Sequence, residues 1–127
     1  MINPMLVEGQ VHGGIVQGLG QALCEAAVWD AETGQPLTGS FMDYALPRAG
    51  DVPNFELAFE EIPTPTNPLG VKGCGEAGSV GGIPAGSLAV LDALWRGGVR
   101  APLETPYTPL KVWQALEAAR AGGMAAE

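Results

Sequence analysis

Hydrophobic residues recur every four positions through the opening stretch, at Val7, Val11, Ile15, Leu19 and Leu23. That spacing lays one apolar stripe along a helix from about Met5 to Ala26, and Pro4 suits its first turn, where no N–H is needed. The same stretch carries Gly9, Gly13, Gly14, Gly18 and Gly20. In an exposed helix interior each glycine costs about 1 kcal/mol against alanine. A helix this weak by propensity would not persist alone in water. Either close packing by another helix or a ligand lying against the bare backbone has to offset the loss.

Beyond the helix the period shortens. "AAVWD", "AETGQP" and "LTGSFMDYALP" read as strand, turn and strand, with Gly34 in the turn. "NFELAFEEI" then sets Phe55, Leu57, Phe59 and Glu61 against Asn54, Glu56, Ala58 and Glu60, the alternation of a half-buried strand. It stops at Pro63, Pro65 and Pro68, which force an irregular connection. From about Gly82, "IPAGSLAVLDALWRGG" turns helical and closes at Gly97 and Gly98. "TPLKVWQALEAARAGG" predicts a last helix with Thr105 or Thr108 as cap and Gly122 as stop. The expected fold class is α+β: a glycine-rich helix, a β-hairpin, an additional strand, and two C-terminal helices. Trp29, Trp95 and Trp113 sit at strand or helix core spacings and are expected to pack.

Composition narrows the field. In 127 residues, 46% are hydrophobic, enough to bury a core in one domain of ordinary size. The formal charge of −8, with six Lys and Arg residues and no basic cluster, lacks the footprint that a phosphate backbone demands, so nucleic acid is not an expected partner. The longest uninterrupted apolar runs fall far short of the ~20 residues of a membrane span, and "MINPMLVEG" has no signal-peptide character. The expectation is therefore a cytoplasmic chain without a membrane span. Cys24 and Cys74 match no zinc spacing and predict no disulfide framework, and Cys24 is expected in the core.

The candidate chemistry concentrates in "NPLGVKGCGEAGSVGGIPA", residues 67–85, where six glycines lie between Gly70 and Gly82 around one carboxylate, Glu76. Gly73, Gly75 and Gly78 satisfy G-x-G-x-x-G, the dinucleotide-binding fingerprint. The fingerprint needs a strand feeding it, a helix starting inside it and an acid near the end of the next strand. Here the lead-in is proline-rich, the helix is expected to start late, and Asp92 falls within a helical pattern. Glu76 would also face a pyrophosphate of its own sign. Two readings of Glu76 remain open on spacing alone: a general base aimed at a reacting centre, or a capping or solvated residue at a helix start. Lys72 could neutralise a phosphate or favour the ionised form of Glu76. His12 is expected to pack or to hydrogen bond, and Gln17 and Gln21 could face solvent.

Three blocks, "INPMLVEGQVHGGIVQGLGQAL", "TGSFMDYALPRA" and "PTNPLGVKGCGEAGSVGGIPA", in this order and spacing, resemble the C-terminal part of the molybdopterin-binding subunit of the xanthine dehydrogenase/aldehyde oxidase family. That family includes carbon monoxide dehydrogenase large subunits, and the likeness runs on through "TPYTPLKVWQAL". It implies that residues 1–127 are the C-terminal portion of a larger molybdopterin-binding domain. It also implies an oxidoreductase that oxidises aldehydes, N-heterocycles or carbon monoxide with water-derived oxygen. Glu76 would be the general base beside the molybdenum. Lys72, Gly73, Cys74 and Gly75 would lie along the molybdenum-molybdopterin cofactor or its cytosine dinucleotide form, and Gln10 would contact it. Further expectations are 2Fe-2S and FAD groups on partner subunits, a missing N-terminal part of the same subunit as partner, and a small-molecule substrate. The chain is read as a fragment or split subunit. The alternative function is a non-catalytic fragment or an assembly module derived from such a subunit.

Overall fold

A computed structural model describes residues 1–124. Three helices organise them: α1, Pro4–Leu23; α2, Ala77–Arg96; and α3, Pro109–Met124. A single 3-10 turn, Ala49–Asp51, interrupts the long connection between α1 and α2.

Pro4 opens α1, as expected of a residue that lacks an N–H, and the Asn3 side chain caps it by accepting from Leu6 N at 3.1 Å. The helix is held by α2. Three levels of small residues meet: Gly14 against Gly78, Gly18 against Gly82, and Ala22 against Gly86. Because both sets ascend together, α1 and α2 run in the same direction. A β-carbon built on Gly18 would lie 2.7 Å from Ile83 N, and one on Gly78 would lie 2.5 Å from Val11 O. The backbones therefore touch, a distance that only glycine permits. Close packing thus offsets the weak propensity of α1 at Gly14 and Gly18. Gly9 and Gly13 face open space.

Several sequence expectations need correction. The β-hairpin and the additional strand do not form among the described residues. The hairpin is reduced to one antiparallel bridge, Trp29 with Pro36, framed by Asp30 N to Gln35 O and Leu37 N to Val28 O, both 2.8 Å. Gly34 does make the turn there, at φ +70. Two short runs with nothing alongside them cannot extend a ladder. The segment after Val52 keeps its alternation, with Phe55 and Leu57 half-buried, but meets no second strand.

Helix α2 begins at Ala77, earlier than Gly82, and accommodates Pro84 in its interior. It ends as anticipated, capped at Gly97 with Gly98 at φ +91. Within its 20 residues an 18-residue stretch has a mean hydropathy of 1.3, which makes α2 long and apolar enough by length and composition alone to cross a membrane. Counting uninterrupted apolar runs missed this because glycine, serine and proline break the runs without breaking the helix. Thr108 caps α3 through Lys111 N, whereas Gly122 lies within α3 and does not stop it.

The core is small: among the described residues Ala22, Leu94, Val99 and Tyr107 are the buried hydrophobic ones, and Tyr107 N donates to Ala22 O at 2.8 Å. Trp29, Trp95 and Trp113 are more than half exposed and do not pack as core. Trp95 instead carries the Arg100 guanidinium 4.0 Å above its ring. Cys24 closes α1 in a half-buried position.

Candidate functional site

The parallel register of α1 and α2 brings together two regions distant in sequence. One turn before the Gly14–Gly78 level lies Gln10, and its partner level is Cys74–Gly75. The side-chain amide of Gln10 lies 3.9 Å from the position of a β-carbon on Gly75. Glu76 is the next residue and occupies the N-cap position of α2.

The loop that delivers these residues is held from behind by Asn67. Its Oδ1 accepts from Leu69 N at 3.1 Å and Val71 N at 3.2 Å, while its Nδ2 donates to Val71 O at 2.9 Å. Asn67 thereby satisfies both backbone groups of Val71, as a neighbouring strand would. Gly70 turns the chain at φ +66, and a β-carbon there would lie 2.7 Å from Pro63 Cβ. Thr64 N donates to Gly70 O at 3.0 Å and closes the base of the loop. Sequence reasoning did not single out Asn67. The signal for it was the Asn-Pro-x-Gly run, in which an Asx turn precedes an obligatory left-handed residue.

Past Val71 the chain is open. Lys72, Gly73, Gly75 and Glu76 are exposed, and Cys74 is half-buried with a free thiol. A β-carbon on Gly73 would meet nothing within 4 Å. The backbone at Gly73 therefore fronts accessible space. Glu76 makes no side-chain capping bond, although it stands at the N-cap. Its carbonyl accepts from Val80 N at 3.0 Å and from Ser79 Oγ at 3.2 Å. The carboxylate is left free of the local bonds that the capping reading would require. The early start of α2 also means that a helix does begin inside the G-x-G-x-x-G run, although no strand feeds it.

The structure thus groups Gln10, Gly75 and Glu76, with Lys72, Gly73 and Cys74 on the adjoining loop. Gln17 and Gln21 are exposed. His12 packs against Phe55, ring centroids 5.6 Å apart and tilted by 56°, in agreement with its expected packing role.

A second group lies behind the C-terminal end of α1. Tyr44 Oη donates to Glu25 Oε2 at 2.6 Å, which holds the Tyr44 hydroxyl above its usual range, with burial contributing less. Burial, followed by the charges of Glu25 and Asp51, pushes the Cys24 thiol up. An open cavity of about 650 Å³ adjoins them, lined in part by Phe41, Met42, Tyr44 and Arg48.

Known proteins resemble this chain over nearly its whole length. Residues 1–53 match the family described as "Molybdopterin cofactor-binding domain". The carbon monoxide dehydrogenase large chain of Hydrogenophaga pseudoflava is 40% identical over 116 residues, covering 91% of this chain and 14% of that protein. Reconstituted carbon monoxide dehydrogenase from Oligotropha carboxidovorans superposes with a TM-score of 0.84 at 37% identity, over 95% of this chain and 15% of the other. Quinoline 2-oxidoreductase from Pseudomonas putida 86 superposes with a TM-score of 0.82 at 40% identity, over 94% and 15%. The chain therefore spans only about one-seventh of the length of the relatives it matches.

Proposed function

The chain belongs to the molybdenum hydroxylase family as a segment of its molybdopterin-binding subunit, and from that premise we propose that it forms one wall of a molybdopterin site and supplies the general base, Glu76. The observation that carries this reading is the meeting of Gln10 and Gly75 beside the uncapped Glu76 carboxylate. Neither residue has structural work that explains it.

The residues present fit the cofactor. Gly73 leaves the backbone bare on an open side and Gly75 faces only the Gln10 amide, so a bulky flat group can come into contact with this stretch. Backbone N–H groups, the Gln10 amide and the Lys72 ammonium together form a donor set suited to pterin and phosphate oxygens. When bound, molybdenum-molybdopterin or its cytosine dinucleotide form supplies the acceptor for the two electrons that leave the substrate. Gln10 and the 72–75 backbone orient the group. Glu76, on the first turn of α2, takes up the proton of the water-derived hydroxyl whose oxygen is added to an electron-poor carbon. An aldehyde, an N-heterocycle or carbon monoxide would be the substrate, and 2Fe-2S and FAD groups on partner subunits would carry the electrons away.

The test is a chimera, the large chain of Hydrogenophaga pseudoflava carbon monoxide dehydrogenase with its matching segment replaced by this chain. Glu76→Gln in that enzyme is expected to lower turnover by about 10²–10⁴-fold while molybdenum and pterin contents stay at the parent level. Turnover within a few-fold of the parent would remove Glu76 from the role of base. Failure of the parent chimera to retain molybdenum would favour the non-catalytic reading.

A further inference from the structure

Residues 54–62 carry an alternation that the fold leaves unused. Phe55 and Leu57 are half-buried, with Phe55 against His12, while Asn54, Glu56, Ala58 and Glu60 are exposed. Phe59 is 40% exposed and Ile62 62%. Among the described residues, no backbone N–H or C=O group of this segment enters a hydrogen bond. Pro53 and Pro63 bound the run, and every residue between them can donate. The charged Met1 amino group pairs with Glu61 near one end. Phe55 is thus already seated against His12 of α1, while the backbone is left as an open row of donors and acceptors, the template on which another strand pairs.

We infer that residues 54–62 receive a β-strand from the remainder of a molybdenum hydroxylase large subunit, a strand with apolar side chains beside Phe55, Leu57 and Phe59 and with Lys or Arg beside Glu56 and Glu60. The inference rests on the reading that the chain works as part of such a subunit. Two observations select this occupant. The matching segment is 14–15% of its relatives yet superposes with TM-scores of 0.82–0.84, so in those proteins the same fold is lodged in a far longer polypeptide. A second copy would bring another Glu56, Glu60 and Glu61 to the edge in a chain of net charge −8, and like charges across a strand pair repel.

Amide hydrogen exchange tests the inference in the isolated chain and in the chimera. In the isolated chain, residues 54–62 are expected to exchange at the rate of unstructured peptide, and in the chimera at least about 100-fold more slowly. Fast exchange in a chimera that retains molybdenum and pterin would overturn the inference and leave the cofactor reading standing. Slow exchange in a chimera without molybdenum would support the strand and count against the cofactor reading. Glu56→Pro and Ala58→Pro in the isolated chain supply an arm independent of the chimera. Both are expected to leave helical circular dichroism unchanged, and a loss of helix would mean that those amides already have a partner within the chain. Protection that grows with concentration of the isolated chain would identify a second copy and also overturn the inference.

Discussion

Along the α1–α2 seam one added carbon is too much: a β-carbon on Gly18 would lie within 3.0 Å of three backbone atoms of α2. In the connection from Cys24 to Glu76 the opposite holds, since Phe41 is 83% exposed, Met42 94% and Leu69 79%. The first region is complete within this chain, because backbone packs on backbone. In the second, apolar side chains and backbone groups stand ready with no match among the described residues. The contrast locates the stability of the chain in two parallel helices and its unfinished business in the segment between them.

Substitutions at the seam should give the largest effects on stability. Gly78→Ala and Gly18→Ala are each expected to destabilise by about 1–3 kcal/mol through overpacking against backbone that cannot move aside, read as a thermal midpoint several degrees lower. An unchanged midpoint would show that the helices can separate at no cost and would break the contrast. The open glycines of the same helix should behave in the opposite sense. Gly9→Ala and Gly13→Ala meet nothing within 4 Å, so each should stabilise the isolated chain by about 1 kcal/mol, measured by urea unfolding. Should the same changes lower molybdenum content in the chimera, the ligand-facing side of α1 would be mapped directly.

Smaller effects belong to the connection. Tyr44 donates to Glu25, so its folded-state pKa is raised. A raised value means that the bond stabilises fully below the ordinary tyrosine pKa of about 10 and is lost as pH rises through the folded value. Ultraviolet titration should therefore find one tyrosine ionising later than a free one, and Tyr44→Phe should remove that step. Phe41→Ser and Met42→Ser should change the stability of the isolated chain least, within about 0.5 kcal/mol. In the chimera the same pair should cost assembly, because there the two side chains have something to cover them.

What was legible in the sequence follows the same division. The four-residue stripe and Pro4 located α1 because those signals act within the helix itself. The end of α2 was legible for the same reason, through Gly97 and Gly98. Its start was not. In the sequence the pattern turns helical only from about Gly82, and the spacing that identifies a close-packed face, Gly78, Gly82 and Gly86, has meaning only beside Gly14, Gly18 and Ala22. The strands failed differently. Alternation reports which residues of 54–62 face inward, and it did so correctly for Phe55 and Leu57, but a strand is defined by hydrogen bonds to a neighbour, and no pattern within one segment supplies the neighbour. Gln10 and Glu76 were identified as candidates by resemblance. Their proximity depends on a register set 66 residues apart in sequence and could not be read from either motif.

The glycine contacts also act as a gauge. Most active-site spacings rest on side chains, so that a change of volume anywhere behind them alters the gap. Here the offset between Gln10 and the loop at Gly75 is measured from one main chain to another, through Gly14 and Gly78. Main-chain atoms are the same whatever the sequence. Substitution elsewhere in the helices can therefore accumulate without changing the gap, while the first side chain admitted to the seam would shift both walls at once.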